Sequence, residues 1–244
     1  MRRFLLDPDV MNGEFVKLDQ DESHHICKVL RLQVGTEIEL IDGRGALFKA
    51  KVAELGRQVV AQILKQVATK PETNTLLTLC QGDLKGKKMD ILVQKCTELG
   101  VNSFFSFTSS RSQGRVEKQR VDKKCLRWRK MVEAACKQSH RLIFMDVEEV
   151  PFHDLLDQKQ VMDSDLKIFF WEDERQADLS SIDWTRSYQN VSIILGPEGG
   201  FSAQELALAR AKGWLSISLG KKILRAETAA LTAVSIVQHR LGNI

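Results

Sequence analysis

The sequence predicts an α/β protein in which a small β-rich domain precedes a larger domain with a mostly parallel sheet. From residue 75 onward, short apolar segments alternate with helical segments, the pattern of a parallel sheet covered by helices on both faces. Residues 1–70 contain several strand-like segments and one helical segment, which is typical of a small barrel. The polar stretch 68–74 contains Pro71 and predicts a boundary between domains 1–70 and 71–244.

The first domain is predicted from alternation and turn chemistry. Residues 36–42 alternate polar and apolar side chains, as a half-buried strand does. Asp42 and Gly43 then supply a turn, after which the next apolar segment returns as the partner strand. The strand candidates are residues 36–42, 46–52 and 58–67, and the helical candidate is residues 21–31.

The second domain is predicted from apolar strands that each lead into a helix. Gly100 and Gly213 follow two of these helices, where a glycine commonly ends a helix. The strand candidates are residues 75–81, 103–108, 142–147, 166–171, 191–195 and 215–219, and the helix candidates are residues 87–99, 116–139, 151–157, 202–212 and 227–241.

Composition excludes several classes of protein. Hydrophobic residues make up 43% and charged residues 28%, as in an ordinary globular chain. No apolar run approaches the roughly 18 residues of a transmembrane helix, so we expect a cytoplasmic protein without membrane contact. The five cysteines form no C-x-x-C pair, which favours reduced thiols over a disulfide framework and predicts no metal site.

The charge distribution is uneven although the net charge is only +4. Residues 111–141 contain eleven Lys or Arg against three Asp or Glu, whereas residues 142–190 contain four against twelve. A basic block beside an acidic one fits one surface that binds a polyanion and another that faces away from it. A solvated helix face would give the same basic pattern, so charge alone leaves both interpretations open.

Residues 193–202 form the first segment with a chemical signature. An apolar strand ends at Leu195 and enters a loop of three glycines and one proline, and Ser202 with Glu205 then forms a capping box for the next helix. Glycines at the carboxyl end of a parallel strand allow the backbone to approach a ligand closely. The spacing is not that of a dinucleotide fingerprint, and a tight turn without a ligand remains an alternative.

Residues 219–230 form the second such segment. A strand ends at Leu219 and Gly220, and a long apolar helix begins near Glu227 after a short loop. Glu227 in the first turn suits the helix dipole. Ala, Leu, Val and Ile lie on most faces of this helix, so we expect it to be buried or to form a subunit interface.

Together, Leu-Gly-Pro-Glu-Gly-Gly-Phe-Ser at 195–202 and Leu-Gly-Lys-Lys-Ile-Leu-Arg-Ala-Glu-Thr-Ala at 219–229 resemble the paired signature of the SPOUT methyltransferases. The chain is most similar to the RsmE family of small-subunit rRNA uridine-N3 methyltransferases. It departs from the family at Cys136-Lys137, where an acidic residue is expected. The resemblance covers nearly the whole chain, with further matches at His25, 29–32, 35, 88–90, 94–95, 97–101, 127–128, 133–135, 138–139 and Arg141.

The resemblance implies a PUA-like β-barrel followed by a SPOUT α/β domain whose C-terminal segment forms a trefoil knot. It also implies a homodimer that binds S-adenosyl-L-methionine in a pocket built by the knot loops, with small-subunit rRNA or the assembled small subunit as its partner. Apolar side chains and backbone groups of these loops suit an adenine ring. The expected cofactor-binding residues are Leu195, Gly196, Pro197, Glu198, Gly199, Gly200, Leu219, Gly220, Ile223, Leu224, Arg225, Glu227, Thr228 and Ala229.

Two of these loop residues are also catalytic candidates. Arg225 would stabilise the anion that develops when uracil loses its N3 proton. Glu198 would act as the base or orient it, although holding the loop by accepting backbone N–H groups is an equal alternative. The candidate RNA contacts are Arg2, Arg3, His25, Arg31, Arg44, Arg111, Arg115, Arg127 and Arg141.

Two other functions remain open from the sequence. One is a related SPOUT enzyme that methylates tRNA or a ribose 2′-hydroxyl, against which the N-terminal barrel and the basic helix argue. The other is a ribosome assembly factor that binds RNA without catalysis, against which the complete cofactor loops argue.

Overall fold

The computed structural model describes residues 2–11, 13–69, 73–109 and 118–244. The chain divides into two compact units, which do not coincide with two continuous stretches of sequence. The first unit comprises Met1–Glu72 and Cys136–Phe144, and the second comprises Thr73–Ala135 and Met145–Ile244. A division into domains 1–70 and 71–244 stays a prediction.

The first unit is built on a mixed sheet. Within the described residues this sheet has five strands in the order β1-β3-β4-β5-β2. β1 runs parallel to β3, and the other pairs are antiparallel. Phe4, Ile38 and Leu40 are fully buried in its core. The strands are β1 (Arg3–Leu5), β2 (Phe15–Lys17), β3 (Glu37–Ile41), β4 (Leu47–Glu54) and β5 (Val60–Val67).

The helical segment of this unit spans residues 20–29, close to the predicted 21–31, but it is not one continuous α-helix. Helix α1 (Gln20–His24) begins at Asp19, whose side chain accepts the backbone N–H of Glu22. The chain then widens into a π-helical turn over His25–Val29, where the N–H of Leu30 bonds to the carbonyl of His25. Arg31, with φ of 51°, ends the helical path.

Residues 136–144 complete the first unit from far along the chain. The N–H of Phe144 bonds to the carbonyl of Gly43, and the N–H of Gly45 bonds to the carbonyl of Leu142. Leu142 also packs against Ile41 and Leu47 in a small apolar cluster. The strand predicted over 142–147 therefore divides, because its first residues pair with the β3–β4 turn while Asp146 begins a strand of the second unit.

The second unit contains a parallel sheet. Its described part has six strands in the order β11-β9-β10-β6-β7-β8, and every neighbouring pair is parallel. This confirms the parallel α/β fold predicted from the alternation of strands and helices. The strands are β6 (Leu76–Gly82), β7 (Ser103–Thr108), β8 (Asp146–Pro151), β9 (Leu166–Phe170), β10 (Asn190–Leu195) and β11 (Leu215–Ile217).

Helices cover both faces of this sheet, as the apolar strands require. Phe105 and Phe107 of β7 belong to an apolar cluster with Leu155 and Leu206, which lie on helices of one face. Phe104, which alternates to the other face, meets the ring of Trp128 edge-on. The helices are α2 (Lys88–Glu98), α3 (Lys118–Ser139), α4 (Phe152–Leu155), α5 (Lys159–Met162), α6 (Ala203–Ala211) and α7 (Ala226–Arg240).

Helices α2 and α7 pack against each other, and α7 also contacts β6 and β10. Ala230, Ala233 and Val234 of α7 are fully buried, as its apolar composition predicts. Across the described ranges, no helix combines the length and the apolar character that crossing a membrane requires.

Candidate functional site

A cavity of about 910 Å³ opens at the carboxyl edge of the parallel sheet. Segments that follow β9, β10 and β11 form its walls, at residues 170–178, 195–201 and 218–229, and Lys88 of α2 contributes a side chain. Ligands of open α/β sheets bind at this edge, because loops from neighbouring strands converge there. The two segments singled out by the sequence therefore meet around one space.

Most of the predicted cofactor-binding residues line this cavity. Gly199 and Thr228 belong to the same two segments but are not among the lining residues. The predicted residues that line it are Leu195, Gly196, Pro197, Glu198, Gly200, Leu219, Gly220, Ile223, Leu224, Arg225, Glu227 and Ala229.

The loop after β10 is held against the end of β6. A Cβ atom on Gly82 would collide with the backbone nitrogen of Pro197 and would lie 2.9 Å from the carbonyl carbon of Gly196. The buried amide of Gln81 donates to the carbonyl of Gly196 at 2.9 Å. The apolar base of this loop is Phe201, whose ring stacks on Phe107 and tilts against Phe169. These contacts fix the glycine-rich backbone at the cavity wall.

The loop after β11 leads directly into α7. Arg225 is the N-cap residue of this helix, with extended backbone angles, and it is exposed. Leu224 is half-buried, whereas Ile223 is 86% exposed. The N-terminal turn of α7 lines the cavity through Ala226, Glu227 and Ala229. Backbone N–H groups at such a helix end point outward and can donate to a ligand.

Lys88 joins the two loops electrostatically. Its amine lies 3.1 Å from Glu198 Oε1 in the first loop and 3.3 Å from Glu227 Oε2 in the first turn of α7. The hydrogen-bonded carboxylate of Glu198, and then the nearby carboxylate of Glu227, raise the pKa of Lys88. The sequence does not indicate Lys88 as a site residue, since no local pattern shows which carboxylates a lysine will reach.

The two carboxylates are held in their ionised form. Partial burial would raise the pKa of Glu198, but the backbone N–H of Lys85 and the Lys88 amine donate to this carboxylate and lower its pKa. The pKa of Glu227 is also lowered, first by its own backbone N–H and also by Lys88. A carboxylate with a lowered pKa is a weaker base, so these surroundings favour the loop-holding role of Glu198.

The segment after β9 also forms a wall of the cavity, and no sequence motif predicts this role. Trp171 is half-buried at its start, and the buried carboxylate of Glu174 accepts the backbone N–H groups of Arg175 and Gln176. These hydrogen bonds, first that of Gln176, lower the pKa of Glu174, which also pairs with Arg210. Its position in the sequence could have predicted this role, because the segment follows a predicted strand of the same parallel sheet.

The predicted RNA contacts differ in their accessibility. Arg2, Arg31 and Arg44 are exposed in the first unit. Arg3 instead pairs with Glu39 at 2.8 Å and donates to the carbonyl of His140. Because its guanidinium already has these partners, Arg3 is less able to bind a phosphate.

The remaining predicted RNA contacts are equally varied. His25 is half-buried with its ring edge-on to Phe4, and Arg141 is only 7% exposed. Arg127 in the second unit pairs with Asp90 at 2.7 Å yet keeps 59% of its side chain exposed. Arg111 and Arg115 lie outside the described residues. In the described stretches, no cluster of three or more His, Cys, Asp or Glu side chains could hold a metal ion.

Family models match both parts of the chain. An RNA methyltransferase domain matches residues 71–238, and an RNA methyltransferase PUA domain matches residues 18–64. The predicted order, a PUA-type domain followed by an α/β domain with a parallel sheet, is therefore confirmed.

Individual relatives match over nearly the full chain. The ribosomal RNA small subunit methyltransferase E of Rickettsia conorii is 33% identical over 241 residues, which cover 97% of this chain and 94% of that protein. The solved structure of the enzyme with the same name from Neisseria gonorrhoeae, bound to S-adenosyl methionine, is 32% identical, with a TM-score of 0.85 over 98% of this chain and 97% of that one. A Legionella pneumophila methyltransferase in complex with the same cofactor is 28% identical, with a TM-score of 0.87 over 97% and 96%.

Proposed function

Because the chain belongs to the ribosomal RNA small subunit methyltransferase E family, we propose that it transfers a methyl group from S-adenosylmethionine to small-subunit rRNA. The observation that carries this proposal is the cavity in which the loops after β10 and β11 meet. We further propose N3 of a specific uridine as the methylated atom, which the sequence resemblance implies.

The residues around the cavity fit this cofactor. Leu195, Leu219 and Leu224 offer apolar surface for an adenine ring, and the backbone of Gly196 offers polar groups beside it. The close packing of Gly82 on Pro197 keeps the glycine-rich backbone at the wall, where its groups can contact a ribose or a methionine moiety. A volume of about 910 Å³ is at the upper end of the range for cofactor sites, which leaves room for a target base.

When bound, S-adenosylmethionine supplies an electrophilic methyl group on a sulfonium centre, and the chain supplies orientation and electrostatics. The target uridine must lose its N3 proton, which passes to solvent water, as the methyl group leaves sulfur and the new N–C bond forms. The exposed guanidinium of Arg225, at the junction of the second loop and α7, is the cation that we propose to stabilise the resulting negative charge. Fixing the base in line with the methyl group lowers the entropic part of the barrier.

Glu198 has two proposed roles, and its contacts favour one of them. A carboxylate that accepts the N–H of Lys85 and the amine of Lys88 is suited to hold the loop. Its lowered pKa weakens it as a proton acceptor, so we propose loop holding as its main contribution.

The RNA must present its target base outside the helical stack, because a stacked base cannot reach a recessed methyl group. We propose single-stranded or splayed rRNA, free or within the assembled small subunit, as the substrate. Arg2, Arg31, Arg44 and Arg127 are the exposed cations, among the predicted contacts in the described residues, that we propose for phosphate binding.

The resemblance also supports proposals about topology and assembly. We propose that the C-terminal segment forms a trefoil knot and that the protein acts as a cytoplasmic homodimer with domains 1–70 and 71–244. Light scattering coupled to size exclusion tests the dimer, and a mass of 27.7 kDa in dilute solution would contradict it.

Methyl transfer from labelled S-adenosylmethionine tests the activity directly. The protein is incubated with naked small-subunit rRNA, assembled small subunits and tRNA, and the modified nucleosides are identified by mass spectrometry. We expect 3-methyluridine in small-subunit rRNA in one of the first two samples. Product in tRNA or on a ribose 2′-hydroxyl would indicate the related SPOUT activity, and RNA binding without product would indicate an assembly factor.

A further inference from the structure

Lys88 occupies a position from which one side chain reaches both cofactor loops. Its amine is 3.1 Å from Glu198 Oε1 and 3.3 Å from Glu227 Oε2, and the three side chains are between 24% and 34% exposed. Glu198 belongs to the loop after β10 and Glu227 to the first turn of α7, and the lysine belongs to neither segment. The contact is thus a bridge between segments that are far apart in sequence.

The helix that carries Lys88 is itself fixed. Met89, the next residue, is 3% exposed, and Leu92 and Val93 are fully buried. Asp90 accepts the indole N–H of Trp128 at 2.9 Å and the guanidinium of Arg127 at 2.7 Å, which ties the first turn of α2 to α3. The amine therefore extends from a rigid helix toward the loop after β10 and the start of α7.

The loop after β10 has a second contact with the same region. The backbone N–H of Lys85 donates to Glu198 Oε1 at 3.2 Å, so this carboxylate accepts donors on both sides of the α2 N-terminus. Glu227 pairs with Lys88 and also interacts electrostatically with Arg225, which belongs to its own segment of the chain. The lysine is thus the electrostatic link through which the start of α7 is tied to the first loop.

We propose that Lys88 is a positioning residue that couples the two loops, so that they take up the cofactor-binding arrangement as one unit. This inference deepens the proposed function and rests on it for its effect on the cofactor. Ion pairs that remain partly exposed to solvent contribute little individually, so the effect of Lys88 on global stability is small, whereas the geometry of the cavity depends on it.

The first test compares Lys88→Met with Lys95→Met. Lys95 lies on the same helix and pairs with Glu98 at 2.8 Å, but it does not line the cavity. By titration calorimetry, we expect Lys88→Met to weaken S-adenosylmethionine binding by about three- to thirtyfold, as two lost ion pairs imply, with Lys95→Met unchanged. Lys88→Arg, which keeps the charge, should restore most of the affinity. Equal affinity in all variants, or equal losses at Lys88 and Lys95, would overturn the inference.

A set of double variants tests coupling rather than simple contact. Binding is measured for Glu198→Gln, Glu227→Gln and their combination, each with Lys88 and with Lys88→Met. With Lys88 present, the combined effect should differ from the product of the single effects by at least about threefold. With Lys88→Met, the fold-change of the combined variant should equal the product of the single fold-changes to within about twofold. Multiplicative effects in both backgrounds would show that the loops are independent.

Hydrogen exchange without cofactor separates this inference from the proposed function. We expect Lys88→Met to speed amide exchange in residues 196–200 and 221–225 together, with β6 and β10 unchanged and Lys95→Met like the parent protein. Faster exchange in one loop only, or in neither, would reject the coupling even if the cofactor binds. If the parent protein does not bind S-adenosylmethionine, the proposed function fails, while this experiment still decides the coupling. If Lys88→Met does not fold, Lys88→Arg replaces it, with a smaller change in both loops expected.

Discussion

Gly82 shows how a single missing side chain shapes the site. The residue ends β6, and the backbone of Gly196 and Pro197 passes so close that a Cβ atom would overlap it. The constraint is steric, since Gly82 has no positive φ angle. A residue without a side chain is thus required at the end of β6, where the loop after β10 passes along the same edge of the sheet.

Gly82→Ala is expected to displace the loop after β10 and to destabilise the fold by about 1–3 kcal/mol, the usual cost of overpacking. Binding of S-adenosylmethionine should weaken more than stability alone implies. Thermal unfolding and titration calorimetry measure the two effects. Gly56→Ala is the control, because its Cβ would meet Gln58 O at an ordinary 3.5 Å. A Gly82 variant with parental affinity would argue against a rigid loop.

Arg225→Ala is expected to lower kcat for methyl transfer by about 10²–10³-fold, as loss of a group that stabilises developing charge does in other enzymes. The cofactor affinity should change much less, because the guanidinium is exposed and does not cap α7. Single-turnover kinetics with saturating cofactor measure the effect, with Arg186→Ala, an exposed arginine outside the cavity lining, as the control that should leave kcat unchanged. A loss confined to KM for RNA would instead indicate an RNA contact.

At the scale of elements, the site depends on how α2 and α7 pack. The two helices contact each other, and the amide of Gln238 near the end of α7 donates to the carbonyl of Leu99 that follows α2. A Cβ on Gly100 would lie 3.0 Å from this amide. The helix pair therefore places Lys88 and Glu227 near each other at its other end.

The ion pairs of Lys88 with Glu198 and Glu227 predict that the order of the loops depends on pH. The lowered pKa values of Glu198 and Glu227 mean that the carboxylates contribute to loop order above their ordinary value of 4.5, and that the contribution is lost as pH falls through the lowered pKa values. The raised pKa of Lys88 means that its contribution is present below 10.5 and is lost as pH rises through the raised pKa.

We therefore expect loop amide protection, corrected for intrinsic exchange, to stay constant from about pH 5 to about pH 10 and to fall on either side of this range. Lys88→Met should remove most of this dependence, and Lys95→Met should retain it. A midpoint near neutral pH would show that another group controls the loops.

At the scale of the molecule, the first compact unit is assembled from two distant pieces of chain. Residues 136–144 supply Leu142 and Phe144 to the cluster around Ile41 and Leu47. The Lys137 amine also lies 2.5 Å from the buried carboxylate of Glu22. A segment at the end of α3 is thus part of the unit that begins the chain.

Leu142→Ala should destabilise this unit by about 2–4 kcal/mol, since it removes buried apolar atoms and leaves a cavity. Hydrogen exchange measures the effect locally, and amides of β3 and β4 should exchange faster. Leu126→Ala is the control, because this side chain is 57% exposed and its loss should have little effect. Unchanged exchange in β3 and β4 would show that the distal segment does not stabilise the sheet.

The exposed arginines of the first unit, which we propose as phosphate contacts, predict salt-dependent RNA binding. Each phosphate contact that is lost should reduce the slope of log K against log salt by roughly 0.7–0.9. For Arg31→Ala combined with Arg44→Ala, we expect a shallower slope and weaker binding to a small-subunit rRNA fragment in filter binding. Arg186→Ala, in the acidic stretch, should match the parent protein. An identical slope for the double variant would remove both residues from the proposed RNA surface.

The amino-acid sequence by itself determined the strand–helix alternation and the two glycine-containing loops at strand ends. Ser202 and Glu205 form the predicted capping box, and the loops that begin at Leu195 and Leu219 line one cavity. Such features could be predicted because periodicity, capping and turn chemistry act between residues close in sequence. The fold class and most of the cavity wall followed from them.

Only the tertiary structure decided which distant residues meet. Lys88 reaches Glu198 and Glu227, the segment after β9 closes the cavity, and residues 142–144 join the β3–β4 turn. No local pattern encodes these contacts, because each depends on how whole elements pack. The sequence shows that Lys88 is charged, but the packing of α2 on α7 determines which carboxylates it contacts.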